Sequence, residues 1–147
     1  MIAYHYTTAQ KFDLIKQSGL LLPSDIGVSA PELPILWFST HPKYEPSALK
    51  PLGDEYGNVT RVLTVKELYE VGGGLVRFGI SAAVLIRGEE LRRTAKMFAT
   101  VWRKLEKSGK KMKANPVDWL GYVGSMSLED VSIEIMDDNM VWRPITH

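Results

Sequence analysis

The sequence predicts an α+β fold with a mixed, mainly antiparallel sheet. Three observations carry this. Short apolar runs of strand length recur between turn signals. Two of them, 131–136 and 140–145, face each other across Asp137-Asp138-Asn139 as a hairpin. One stretch, Gly88 to Lys107, carries apolar residues at three- and four-residue spacing and reads as one long amphipathic helix. Strands separated by short helices and closed by an antiparallel pair argue against a doubly wound parallel sheet.

Along the chain, Met1 to Tyr6 alternates weakly and reads as an opening strand. Thr8 is placed to cap a helix over 9–18, with Phe12 and Ile15 on one face and Gly19 as its stop. Leu20-Leu21-Leu22-Pro23 continues as extended chain, and Ile35 to Ser39, bounded by Pro34 and Pro42, reads as a buried strand. His41 to Asn58, rich in proline, glycine and polar residues beyond a short helix near Ser47, reads as a mobile loop over a site. Thr64 to Glu70 forms a helical turn stopped by Gly72-Gly73-Gly74, and Leu75 to Ile80 is a strand that 82–86 extends or follows. In the long helix, Leu91, Ala95, Phe98, Trp102 and Leu105 make the apolar stripe, with Arg92, Arg93, Lys96, Arg103 and Lys104 largely off it. Asn115-Pro116 ends this basic region before apolar chain resumes over 119–123.

At 147 residues the chain has the length of one domain, expected to span 1–147 without a linker or an internal repeat. It contains no cysteine, which excludes disulfides, thiolate metal sites and thiol catalysis and fits a reducing compartment. The N-terminus lacks the pattern of a signal peptide, and no apolar run approaches the roughly 20 residues of a membrane span. The expected location is the cytoplasm, with no membrane partner. Net charge is +1, yet ten Lys/Arg against three Asp/Glu fall between Arg87 and Lys113. That asymmetry is either a solvated helix face or a surface for an anionic partner.

Most chemical signatures are missing. His5, His41 and His147 are far apart and form no metal motif, so no metal is expected. The glycine triplet lacks the following Gly-Lys-Ser/Thr of a phosphate loop, and no serine sits in a nucleophile elbow. What remains is polar and aromatic groups at strand ends: His5-Tyr6-Thr7, Trp37-Phe38-Ser39-Thr40, and Arg77 within an apolar strand. A lone histidine in such a strand is more often structural, and both aromatics are ordinarily core. Arg77 either leaves on a solvent face or points into a cleft to hold an anion, for which a planar guanidinium is suited.

In this order the segments resemble the ADP-ribosyltransferase superfamily. His5-Tyr6-Thr7 is similar to its first-strand histidine motif. Leu36-Trp37-Phe38-Ser39-Thr40 with the chain from Tyr44 to Leu49 is similar to its second, aromatic-and-hydroxyl motif. Asn115 to Trp119 followed by Ser127 to Val131 is similar to the part carrying the third. The likeness is to DNA-modifying ADP-ribosyltransferase toxins and, more loosely, to RNA 2′-phosphotransferases.

The resemblance implies a split ADP-ribosyltransferase-like core that binds NAD as substrate and transfers ADP-ribose to a macromolecule, as a toxin or defence factor. It implies that His5 hydrogen-bonds the ribose beside nicotinamide, that backbone near Tyr6 and Thr7 grips the carboxamide, and that Trp37, Phe38 or Tyr44 stacks on the ring. Ser39 then orients the ribose and Arg77 neutralises the pyrophosphate. The glutamate that stabilises the oxocarbenium-like state has three candidates: Glu129, then Glu134, then Glu45. Arg92, Arg93, Lys96, Arg103 and Lys104 would hold a nucleic-acid or acidic partner. The alternatives are RNA 2′-phosphate transfer to NAD and a non-catalytic binding module of the same fold.

Overall fold

The computed structural model describes residues 1–146, the side chain of Thr60 excepted; His147 lies outside the described residues. Its elements are β1 (Ile2–Thr8), α1 (Ala9–Ser18), β2 (Leu20–Leu21), β3 (Ile35–Ser39), β4 (Pro51–Gly53), β5 (Val59–Val62), α2 (Val65–Val71), β6 (Leu75–Ser81), α3 (Gly88–Thr94), α4 (Ala99–Lys111), β7 (Trp119–Val123), β8 (Met126–Ser127), β9 (Ser132–Met136) and β10 (Trp142–Ile145). Six strands form one antiparallel sheet in the order β10-β9-β6-β1-β3-β7. The fold is α+β with a mainly antiparallel sheet. No helix among the described residues is long and apolar enough to cross a membrane.

Local chemistry sets the element ends. The Thr8 side chain accepts from the Lys11 N–H at 3.4 Å and opens α1, while Gly19, at φ 73°, closes it by donating to the Ile15 carbonyl. α2 begins with a reciprocal capping box between Thr64 and Glu67. The carboxylate of Glu67 also grips Arg61, which holds its pKa down at about 2.

The single helix expected over 88–107 is two helices. Its period suits one rod, but α3 ends in a paired capping turn. Lys96 takes a left-handed φ of 56° and donates to Arg93, and Met97 donates back to Arg92 at 3.0 Å. Met97 packs with Leu91, Ala95 and Ile35, which holds the turn in place. Phe98, read as part of the buried stripe, is consequently 60% exposed.

The stretch expected as a mobile loop, 41–58, is only partly irregular. It contains the short helical turn Pro46–Ala48 and β4, which pairs with β5 as a hairpin. The main core lies on one face of the sheet, where Phe78 packs edge-on against Phe12 of α1 at 5.6 Å. On the other face Tyr6, Tyr44, Leu63, Leu68, Leu75 and Met136 form a second cluster. A third lies under α3.

Candidate functional site

β1 is paired with β6 at every residue from Ile2↔Ser81 to Thr8↔Leu75. Against β3 it is in register only at Tyr4↔Ser39. Beyond that pair the edge is bridged by a side chain: the His5 ring places Nδ1 2.7 Å from the Trp37 carbonyl. A carbonyl only accepts, so Nδ1 carries the proton, and Nε2 of the neutral ring is an acceptor. Burial, which outweighs the carbonyl bond, holds the imidazole below its ordinary pKa of 6.5, and the nearby Lys11 charge adds to the depression.

The parted edge opens into a cavity of about 320 Å³. β1 contributes Tyr4, His5 and Tyr6, and β3 contributes Trp37, Phe38 and Ser39. The loop after β3 adds Glu45, Ser47 and Ala48. The far wall is the α4 face Leu105, Ser108, Gly109 and Met112, together with Trp119 at the start of β7. Gly109 is required there, because a Cβ on it would lie 2.4 Å from the Trp119 ring. Trp119 stands edge-on to Trp37 at 6.0 Å, and its indole N–H is buried without a hydrogen-bond partner. The volume sits at the lower end for small-molecule sites, and an aromatic lining with a few fixed polar groups is typical of them.

Glu45 is the only carboxylate among the described residues of the lining and is 6% exposed. Its Oε1 accepts from the Ser39 hydroxyl at 2.9 Å. Its Oε2 accepts from the Ser47 N–H at 2.8 Å and from the Ser47 hydroxyl. The Ser39 oxygen in turn accepts from the His41 N–H at 3.0 Å. Three bonds leave room for a further acceptor contact, since a carboxylate offers about four lone-pair sites. No lysine or arginine is among the described residues of the lining. Lys50, between the Pro46–Ala48 turn and β4, is held below its ordinary pKa by burial and then by the adjacent Lys11 ammonium.

The residues singled out in the sequence divide accordingly. His5, Tyr6, Trp37, Phe38 and Ser39 meet at the cavity, and so does Glu45, the third of the glutamate candidates. Thr7 is buried and does not line it. Tyr44 is 4% exposed in the second core cluster, 4.7 Å from the Tyr6 ring, and burial raises its pKa; it is not placed to stack on a ligand in the cavity.

Arg77 is likewise outside the lining. Its register partner is Tyr6, so strand alternation puts it on the face opposite His5. It is 7% exposed, packs over the rings of Tyr4 and Trp142, and pairs through Nε with Glu134 at 2.9 Å. The expected anion contact of Arg77 is thus occupied by protein groups, and Glu134 is that partner rather than a cavity residue. Glu129 is exposed on a 3₁₀ turn after β8 and also lies off the cavity.

Of the basic residues, Arg92 and Arg93 pair with Glu89. Lys96 lies at the left-handed turn, and Arg103 and Lys104 are exposed on α4. Sequence reasoning missed Trp119 and the α4 wall. Gly109 lies two residues beyond the helix read from the sequence, so no local signal pointed to that wall. Compared with protein-family models, curated proteins and solved structures, the chain matches none of them.

Proposed function

We propose that the chain binds NAD in the cleft between β1 and β3 and acts as an ADP-ribosyltransferase with Glu45 as its catalytic carboxylate. The carrying observation is the convergence on one cavity of a buried carboxylate, a neutral histidine and several aromatic faces. Nicotinamide fits between aromatic walls. The Nε2 of His5 accepts from a ribose hydroxyl, and the fixed negative charge of Glu45 stabilises the positive charge that develops at the ribose as nicotinamide leaves.

The acceptor is a nucleic acid, held through its phosphates by α4. Arg103, Lys104, Lys107, Lys110 and Lys111 fall on the side of the helix turned away from the cavity wall, and none has an ion-pair partner among the described residues. RNA 2′-phosphate transfer is less favoured, because it needs basic groups inside the cleft.

The test is titration with NAD followed by assay of nicotinamide release. Glu45→Gln is expected to keep NAD binding and to lower release by about 10²–10³-fold. Failure to bind NAD at millimolar concentration overturns the reading. Binding with unchanged release in Glu45→Gln removes Glu45 from its role, and binding with no release in either protein leaves a non-catalytic NAD module.

A further inference from the structure

Glu45 sits on irregular chain, and that chain is fixed in an unusual way. Three successive backbone carbonyls of the loop each accept a hydrogen bond from a side chain of a different strand. The Tyr6 hydroxyl of β1 donates to the His41 carbonyl. Arg77 of β6 donates through Nη1 to the Pro42 carbonyl at 2.8 Å. The Trp142 indole of β10 donates to the Lys43 carbonyl at 2.7 Å. Glu45 comes two residues later. The imidazole of His41 closes the turn from inside, its Nδ1 accepting from the N–H groups of Lys43 and Tyr44 at 3.2 Å each.

The donors also brace one another. Tyr6 lies 5.9 Å ring to ring from Trp142, and Arg77 packs over the Trp142 ring while Glu134 holds its Nε. Two of them are fixed donors by their chemistry, since guanidinium and indole offer only N–H. The third stays a donor at any working pH, because burial pushes the Tyr6 hydroxyl up to about 12.

We infer that Tyr6, Arg77 and Trp142 are positioning residues: a three-point clamp that sets the carboxylate of Glu45 through the carbonyls of His41, Pro42 and Lys43. This rests on the assignment of Glu45 above for its catalytic consequence, though not for its structural one. It gives a task to the C-terminal hairpin β9–β10, which supplies Trp142 and Glu134 and yet reaches no ligand in the cavity. It also accounts for an arginine in the middle of an apolar strand.

Tyr6→Phe and Trp142→Phe each delete one donor and keep an aromatic ring. Each is expected to lower kcat for nicotinamide release by about 10-fold with KM within about twofold, because a carboxylate displaced by a fraction of an ångström still admits substrate. Combined with Glu45→Gln, the same changes are expected to cost less than about twofold more, since the clamp acts only through that carboxylate. Equal kcat losses in the wild-type and Glu45→Gln backgrounds, or losses confined to KM, overturn the clamp.

Hydrogen exchange reads the same clamp without turnover and so separates its failure from failure of the NAD assignment. In Trp142→Phe the amides of Lys43, Tyr44 and Ser47 are expected to lose at least about tenfold in protection, while those of the β1–β6 ladder keep theirs. Unchanged protection at these three amides rejects the clamp whatever the protein catalyses.

Discussion

Along its β6 edge β1 is registered at all seven residues, whereas along its β3 edge one pair holds and a histidine side chain spans the gap beyond it. The zipped edge is lined by Phe78 and Val76, both essentially inaccessible, and it carries the sheet. The parted edge gives up ladder bonds, and the Trp37 carbonyl there is met by the His5 ring instead. Backbone pairing and an open cavity compete for the same edge, so one strand serves as scaffold on one side and cavity wall on the other.

The sharpest way to break this contrast is to damage the scaffold side. Phe78→Ala is expected to cost about 3–5 kcal/mol in chemical denaturation, because its cavity opens in the middle of the main core. Within the cleft, Gly109→Ala is expected to cost less, about 1–3 kcal/mol, since α4 lies at the periphery and can shift. That shift moves Trp119 and Met112, so ligand binding falls more than stability does. A loss of stability equal to that of Phe78→Ala would mean the cleft wall is part of the scaffold after all.

A third prediction concerns pH. His5 is held neutral in the fold, so the unfolded chain gains a proton that the folded chain resists as pH falls through about 6.5. The stability this supports is present above that value and is lost below it. His5→Gln is expected to flatten the acid limb of the stability profile relative to wild type; parallel limbs would show that His5 titrates normally. The smallest effect is at the surface. Replacing Lys104 and Lys107 with Gln is expected to lower the salt slope of nucleic-acid binding by about 2 and leave nicotinamide release from NAD alone unchanged.

The sequence made the zipped side legible and the parted side only half so. Thr8 as a cap, Gly19 as a stop and the apolar run 75–80 are local signals, and the helix and strand they bound are present. His5, Trp37 and Ser39, which line the cavity, stood out in the sequence because polar groups and aromatics are conspicuous beside apolar strand residues. Arg77 stood out in the same way, yet its anion is protein: a guanidinium inside a strand signals a fixed negative or carbonyl partner without saying which. The break at Lys96 was hidden because Ala95 and Phe98 keep helical spacing on both sides of a capping turn that needs no glycine. Trp119 and Gly109 become neighbours only through packing of α4 on β7, a contact that leaves no periodic trace.

The central claim, that the parted β1–β3 edge is a nucleotide site, is tested most directly by following the four indole N–H signals in an NMR titration with NAD. Saturating shifts at Trp37 and at Trp119, whose N–H has no protein partner, with Trp142 little moved, are the predicted result. No shift at Trp37 and Trp119 up to millimolar NAD, or shifts confined to Trp142, would contradict it.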